Sequence, residues 1–185
     1  SAILGKSLYH EEYGEKDIHV FNSCSASVGE TLIAMKIVEC EEQGMGFAQV
    51  VETVEAYIRE QHTYFVLETL DTLRKNGRLT GVKAIVATAL NIKPVMGSTP
   101  EGTIQQLGQA RGVKKALAKM VDAVVADLKE SKKKILAISH CNCRERAEHV
   151  KEMLTQRADF KDVVILDTAG ISSMYAADGG VIVVV

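Results

Sequence analysis

Asn22-Ser23-Cys24-Ser25-Ala26-Ser27-Val28-Gly29 lies between an apolar run, Ile18-His19-Val20-Phe21, and an amphipathic pattern that begins near Gly29. The run predicts a short strand. The pattern predicts a helix over about 29–43, with Ile33, Ile37 and Cys40 on one face at i, i+4 and i+7. A strand that enters a helix through a polar turn is the repeating unit of an α/β fold. The three hydroxyls of Ser23, Ser25 and Ser27, at alternate positions beside the backbone N–H groups of a helix start, form a cradle suited to an anionic or carbonyl-bearing group. A serine-rich helix cap is the alternative reading, although one serine suffices for a cap.

The flanking sequence continues the alternation. Upstream, about 2–12 reads as a helix that opens abruptly, with Ile3, Leu4 and Leu8 clustered and no capping pattern before it, so sequence is expected to be missing there. Downstream, Gly44 and Gly46 end the second helix, and Phe47, Val50, Val51, Val54 and Ile58 form the stripe of a third over about 47–61. A strand over 63–67 follows, then a short helix over 70–75 that stops at Asn76-Gly77, and a helix over 82–90. Strands over 92–96 and 103–108 flank Ser98-Thr99-Pro100-Glu101-Gly102, whose Pro and Gly make a hairpin turn. A long helix over about 111–131, a strand over 134–139, a helix over 144–156, a strand over 163–167, a turn or helix near 171–177 and a strand over 181–185 complete the chain. Alternating strands and helices with one hairpin imply α/β with a mixed sheet.

Composition narrows the function classes. The 185 residues are 46% apolar, enough for a substantial core. Lys+Arg of 22 against Asp+Glu of 24 gives a net charge of −2, and the one basic tract, Lys132-Lys133-Lys134, suits a solvated helix end, so nucleic-acid binding has no electrostatic support. No run approaches the roughly 18 apolar residues that span a bilayer, so stable membrane insertion is not expected and the expected location is cytoplasmic. Cysteines at 24, 40, 141 and 143 do not make a secreted disulfide framework.

Other clusters offer weaker chemistry. His140-Cys141-Asn142-Cys143 ends a strand and opens a helix, which invites a thiol or metal reading, but no second Cys or His pair recurs at finger or ribbon spacing. Arg74-Lys75-Asn76-Gly77-Arg78 and Arg111-Gly112-Val113-Lys114-Lys115 are compact basic segments. Cations at the start of a helix oppose its dipole, so the second points to a use beyond stability. The G-x-S-x-G elbow, the Walker loop and the dinucleotide G-x-G-x-x-G are absent.

Four separated segments resemble one family in order and spacing: Val20 to Gly29; Tyr64-Phe65-Val66-Leu67-Glu68-Thr69-Leu70 with Leu73 to Leu79; Leu90-Asn91-Ile92-Lys93-Pro94-Val95; and Arg111 to Ala116. They are similar to DegV family proteins across nearly the whole chain. The resemblance implies a bacterial protein that encloses one long-chain fatty acid, with the acyl chain in a tunnel and the carboxylate held between two α/β domains. It also implies that the protein is not itself an enzyme but a carrier that presents the carboxylate to a partner fatty acid kinase, the catalytic subunit. No cofactor is implied beyond the fatty acid as ligand. The expected fold is the two-domain DegV-like one, with 1–61 the rear of the first domain and 62–185 a complete second, lipid-binding domain built on a mixed sheet flanked by helices.

Carried onto this sequence, the resemblance makes Ser23 a carboxylate donor with Ser25 and Ser27 as neighbours, and puts Asn22 where the family has an aspartate. Tyr175 stands where many members have a histidine, and its phenol can donate to a carboxylate. Val82, Ile85, Val86 and Leu90 are expected to line the acyl tunnel, and Arg74, Arg78, Arg111 and Lys114 to dock the kinase. Family members begin well before the first residue here. The chain is therefore expected to self-associate through 1–61 and to bind fatty acid weakly. The competing class is an enzyme of the related kinase-like fold with a small carbonyl substrate at the serine cluster.

Overall fold

The computed structural model of the chain describes residues 1–79 and 91–185. Its centre is a six-stranded mixed sheet of β1 (Thr63–Val66), β2 (Ile92–Ser98), β3 (Ile104–Arg111), β4 (Ile135–His140), β5 (Asp162–Asp167) and β6 (Val181–Val184), in the order β3-β2-β1-β6-β4-β5. Only β4 and β5 pair in parallel; the other neighbours are antiparallel. The β2–β3 hairpin turns through Gly102, at φ 78°, as the Pro and Gly there predict.

The helices are α1 (Ala2–Tyr13), α2 (Val28–Glu42), α3 (Phe47–Arg59), α4 (Asp71–Lys75), α5 (Val113–Asp127), α6 (Arg144–Thr155) and α7 (Gly170–Ala176). Side chains alternate across a strand, so each face of the sheet collects its own partners. Tyr64, Val66, Val95, Leu136, Ile138, Val181 and Val183 point to one face, which Leu117, Met120 and Val124 of α5 and Ala147, Val150 and Leu154 of α6 cover. On the other face Val28 and Leu32 of α2 pack on Ala137 and Val184. Farther along that face, Phe65, Leu67 and Met96 meet Leu73 of α4 and Ala176 of α7. Behind α2, the α3 stripe delivers Val54 and Ile58 onto Ile33 and Cys40.

Three sequence expectations are corrected. Residues 18–21 form no strand: the apolar alternation is there, but a strand is made by its partner, and among the described residues the segment joins no ladder. It is held instead by His19 Nε2 at 3.0 Å from Glu55 Oε1 and by Phe21, which packs against the cluster of Ile33, Cys40, Val54 and Ile58. The long helix starts two residues later than expected, because Arg111 still pairs with Ile92 and Gly112, at φ 83°, makes the turn into α5. It also ends earlier, at Asp127, where Leu128 is extended and a short 3-10 turn, Ser131–Lys133, carries the lysine tract. The expected helix over 82–90 lies outside the described residues.

α1 buries none of its residues and leaves Ile3 72% and Leu4 62% exposed. No helix among the described residues is long and apolar enough to cross a membrane.

Candidate functional site

Strand directions decide which loops meet. β1, β3, β4 and β5 run one way and β2 and β6 the other, so one end of the sheet gathers four carboxyl ends and the two opposing starts. Glu68, Lys93, Arg111, His140, Asp167 and the loop before β6 all reach that end. Ligands of α/β sheets bind outside strand carboxyl ends.

The serine stretch runs along the α2 side of the sheet, and its hydroxyls do not converge. Ser23 Oγ donates to Glu30 Oε1 at 2.6 Å, tying the stretch to the first turn of α2. Ser25 Oγ lies 2.8 Å from Thr63 Oγ1 at the start of β1. Ser27 Oγ lies 3.0 Å from Ser139 Oγ near the end of β4. The capping alternative is not what is seen either, since the Ser27 side chain makes no cap hydrogen bond. The spread follows from the backbone, which turns through positive φ at Cys24 (48°) and Ser27 (58°). A Cβ at Gly102 would stand 2.8 Å from Cys24 Cα, so the hairpin tip holds the beginning of the stretch at the far end of the sheet.

Ser27 has φ 58° and ψ −127°, a conformation that a residue with a Cβ adopts at a cost. It borders a cavity of about 210 Å³, shared with Thr31, Ser139, Asp167, Thr168 and Ser172. Ser139 is only 1% exposed, and its hydroxyl meets Ser27 there. Val28, Leu166 and Ala169 complete its lining, and the cavity is smaller than the ~300 Å³ at which pockets for drug-sized ligands begin, so it holds at most a small group.

The apolar counterpart lies between α4 and α7. Tyr175 is half-buried there and packs with Leu70, Leu79 and Ile104 against the Phe65, Leu67 and Met96 cluster. Val82, Ile85, Val86 and Leu90, expected to line a tunnel, lie outside the described residues.

A cluster that sequence reading missed stands at the same end. Lys93 Nζ donates to the Glu68 carboxylate and, at 3.0 Å, to the Glu68 carbonyl. Arg146 Nη1 donates at 2.7 Å to Glu68 Oε1 and at 2.7 Å to the Gly179 carbonyl. Burial pushes the Glu68 carboxyl up, but the hydrogen bonds from Lys93 and Arg146 outweigh it and hold the group below the ordinary glutamate range. Nothing local in the sequence joins residues 25 and 78 positions apart.

The basic segments are brought to one end of the sheet. Arg74 and Arg78 flank the end of α4, Arg111 closes β3 and Lys114 opens α5, and all four side chains are exposed. Arg74 pairs with Asp71 at 2.7 Å, and Arg78 donates to the Asn76 carbonyl at 2.9 Å.

The His140-Cys141-Asn142-Cys143 segment makes the turn from β4 into α6. His140 is 2% exposed; its Nδ1 accepts the Cys143 N–H at 3.4 Å. Cys143 Sγ donates to the Gly180 carbonyl at 3.4 Å, and burial pushes its thiol up, away from thiolate chemistry. Among the described residues, no three His, Cys, Asp or Glu side chains are grouped to hold a metal ion.

A family model described as "Uncharacterised protein, DegV family" matches residues 6–185. A DegV domain-containing protein of Streptococcus pneumoniae is 34% identical over 184 residues, which are 98% of this chain and 64% of that protein. The chain thus spans less than two thirds of the length of the curated relatives it matches. A crystal structure of a DegV family protein from Ruminococcus gnavus, refined with vaccenic acid, is 67% identical and superposes with a TM-score of 0.96, covering 100% of this chain and 66% of that one. The S. pneumoniae fatty acid kinase B3 protein, loaded with linoleic acid, is 32% identical with a TM-score of 0.81 over 99% of this chain and 64% of that one. The agreement in sequence and fold takes in the serine stretch, the whole sheet and the loop before β6, and the chain belongs to the DegV family.

Proposed function

We propose that this chain belongs to a fatty-acid-binding carrier. Its acyl ligand would lie on the α2 side of the sheet, along the Phe65, Leu67 and Met96 face, and Val82, Ile85, Val86 and Leu90 would be lining residues of its tunnel. The observation that carries this reading is the likeness to the Ruminococcus gnavus protein refined with vaccenic acid, at 67% identity over the whole of this chain. The fold is in keeping with it: an apolar face is flanked at the same sheet end by a small cavity that carries the Ser27, Ser139 and Ser172 hydroxyls beside Asp167.

Tyr175 and Ser27 are the hydroxyls of the predicted set that stand nearest this arrangement, with Ser23 and Ser25 fixing the approach of the stretch. In this reading 1–61 and 62–185 belong to different domains of the longer relatives. The carrier would present the carboxylate to a fatty acid kinase, a role supported by the likeness to the kinase B3 protein. Arg74, Arg78, Arg111 and Lys114 would be the docking charges.

Mass spectrometry of organic extracts from the purified chain tests the reading. Long-chain acyl groups in the extract and saturable uptake of added vaccenic acid are expected. Extracts empty of acyl chains, together with no saturable uptake of added vaccenic acid, would refute it.

A further inference from the structure

The loop of Ala177, Asp178, Gly179 and Gly180 joins α7, which carries Tyr175, to β6, and it is held by the Arg146 side chain and by the Cys141 backbone. Arg146 Nη1 takes the Gly179 carbonyl at 2.7 Å. The Cys141 carbonyl accepts the Gly179 N–H at 2.8 Å, and the Gly180 carbonyl accepts the Cys141 N–H at 3.0 Å. Gly179, at φ 85°, is required by this arrangement, because a Cβ there would stand 2.6 Å from Arg146 Nη1.

Arg146 in turn is aimed by Glu68, which Lys93 grips from the other side. A surface ion pair alone would carry no meaning. This one ends on a main-chain carbonyl, in a loop bent against its own sequence: Ala177 has φ 53° and ψ 170°, a region that is essentially glycine's. The Ala177 N–H donates to the Ser173 carbonyl at 3.0 Å and the Ala177 carbonyl accepts the Gly180 N–H at 3.2 Å, and the guanidinium, two residues on at Gly179, is the charged group that anchors the loop these bonds close.

We infer that Arg146, aimed by Glu68 and Lys93, is a positioning residue that sets where Tyr175 stands at the polar end of the ligand. The inference rests on the fatty-acid reading above. Without the clamp, Ala177 relaxes toward negative φ and α7 carries Tyr175 away from its place on the Phe65 and Met96 face. Gly179 and Glu68 act on the ligand only through this loop.

The test uses the full chain and vaccenic acid as the probe, with Arg146→Met, Tyr175→Phe, their double variant, and Arg146→Met combined with Ala177→Gly. Tyr175→Phe is expected to weaken binding about tenfold, the value of one positioned hydrogen bond to a charged group. Arg146→Met should weaken it by a similar factor. Because the clamp acts through Tyr175, the double variant should be no weaker than either single one. Ala177→Gly, which removes the strain that drives the loop away, should restore binding in the Arg146→Met background.

A purely structural arginine gives multiplicative losses and no rescue, and that result overturns the inference. So does an Arg146→Met protein that is folded by circular dichroism and binds normally. If the parent chain takes up no vaccenic acid, the fatty-acid reading fails instead, and the clamp is read in the free protein by fluorine NMR. With 3-fluorotyrosine at all 5 tyrosines, the resonance lost in Tyr175→Phe should move in Arg146→Met and return with Ala177→Gly. An unmoved resonance overturns the clamp.

Discussion

The pair Ser27 and Ser139 sets two effects of opposite sign against each other, and their magnitudes predict a change of sign between backgrounds. Replacing Ser27 by glycine relieves a backbone at φ 58° and ψ −127°, worth about 1–3 kcal/mol. Glycine gives back about 0.5–1 kcal/mol through the entropy of the unfolded chain. The same change removes the partner 3.0 Å from Ser139 Oγ, and Ser139 is 1% exposed. A buried hydroxyl left unpaired costs about 1–3 kcal/mol. S27G alone should therefore destabilise by about 1 kcal/mol, because the orphaned Ser139 outweighs the residual relief. In an S139A background no hydroxyl is orphaned, and S27G should stabilise by about 0.5–1 kcal/mol. Urea unfolding followed by circular dichroism, with the slope checked for constancy, measures all four corners of the cycle. Equal stabilisation in both backgrounds would show that the Ser27–Ser139 bond contributes nothing. Equal destabilisation would show that Ser27 is not strained.

Three further outcomes are expected. Met120→Ala, at a fully buried position of α5, should cost about 2–5 kcal/mol in the same urea assay, with the loss rising with the cavity left behind. Because the folded Glu68 carboxyl lies below its unfolded value, its contribution is present in full above the ordinary glutamate pKa of ~4.3 and is lost as pH falls through the lower folded value; E68Q should flatten the acid limb of a stability–pH curve there. Arg78→Ala with Arg111→Ala, both exposed, should leave stability within about 0.5 kcal/mol and vaccenic acid binding intact, while slowing kinase-dependent acyl phosphate formation most at low salt. Equal loss of acyl binding would show that these arginines hold ligand.

What the sequence made legible was local. The stripe of α3, the Pro and Gly of the β2–β3 turn and the Asn76-Gly77 stop after α4 each act within a few residues, and each element stands where its pattern put it. Residues 18–21 show the limit, since alternation describes a strand's faces and says nothing about whether a partner is there to pair with. The serine stretch shows it again. Ser23, Ser25 and Ser27 are neighbours in sequence, but two left-handed turns and contacts with Glu30, Thr63 and Ser139 send them to three places. The Glu68, Lys93 and Arg146 cluster had no local signal, because its members meet only after β1, β2 and α6 are assembled.

The sheet order explains why such a cluster forms where it does. Were all six strands parallel, the segments before β2 and β6 would arrive at the opposite end, far from the carboxyl ends of β1 and β4. Because both strands are antiparallel to their β1 neighbour, Lys93 at the start of β2 and Gly179 just before β6 come to the end where β1 releases Glu68. β4, antiparallel to β6 on its other side, brings Cys141 there to hold the same loop through the backbone. The reversed central strand therefore turns the α7 to β6 loop from a remote connection into a part of the polar end of the sheet. A change in the registry of β6 by one residue would send Val181 and Val183 out of the α5 and α6 face and move Gly179 away from Arg146 at once. Core packing thus fixes the register that places the clamp, and the clamp anchors at Gly179 the loop that Ala177 opens.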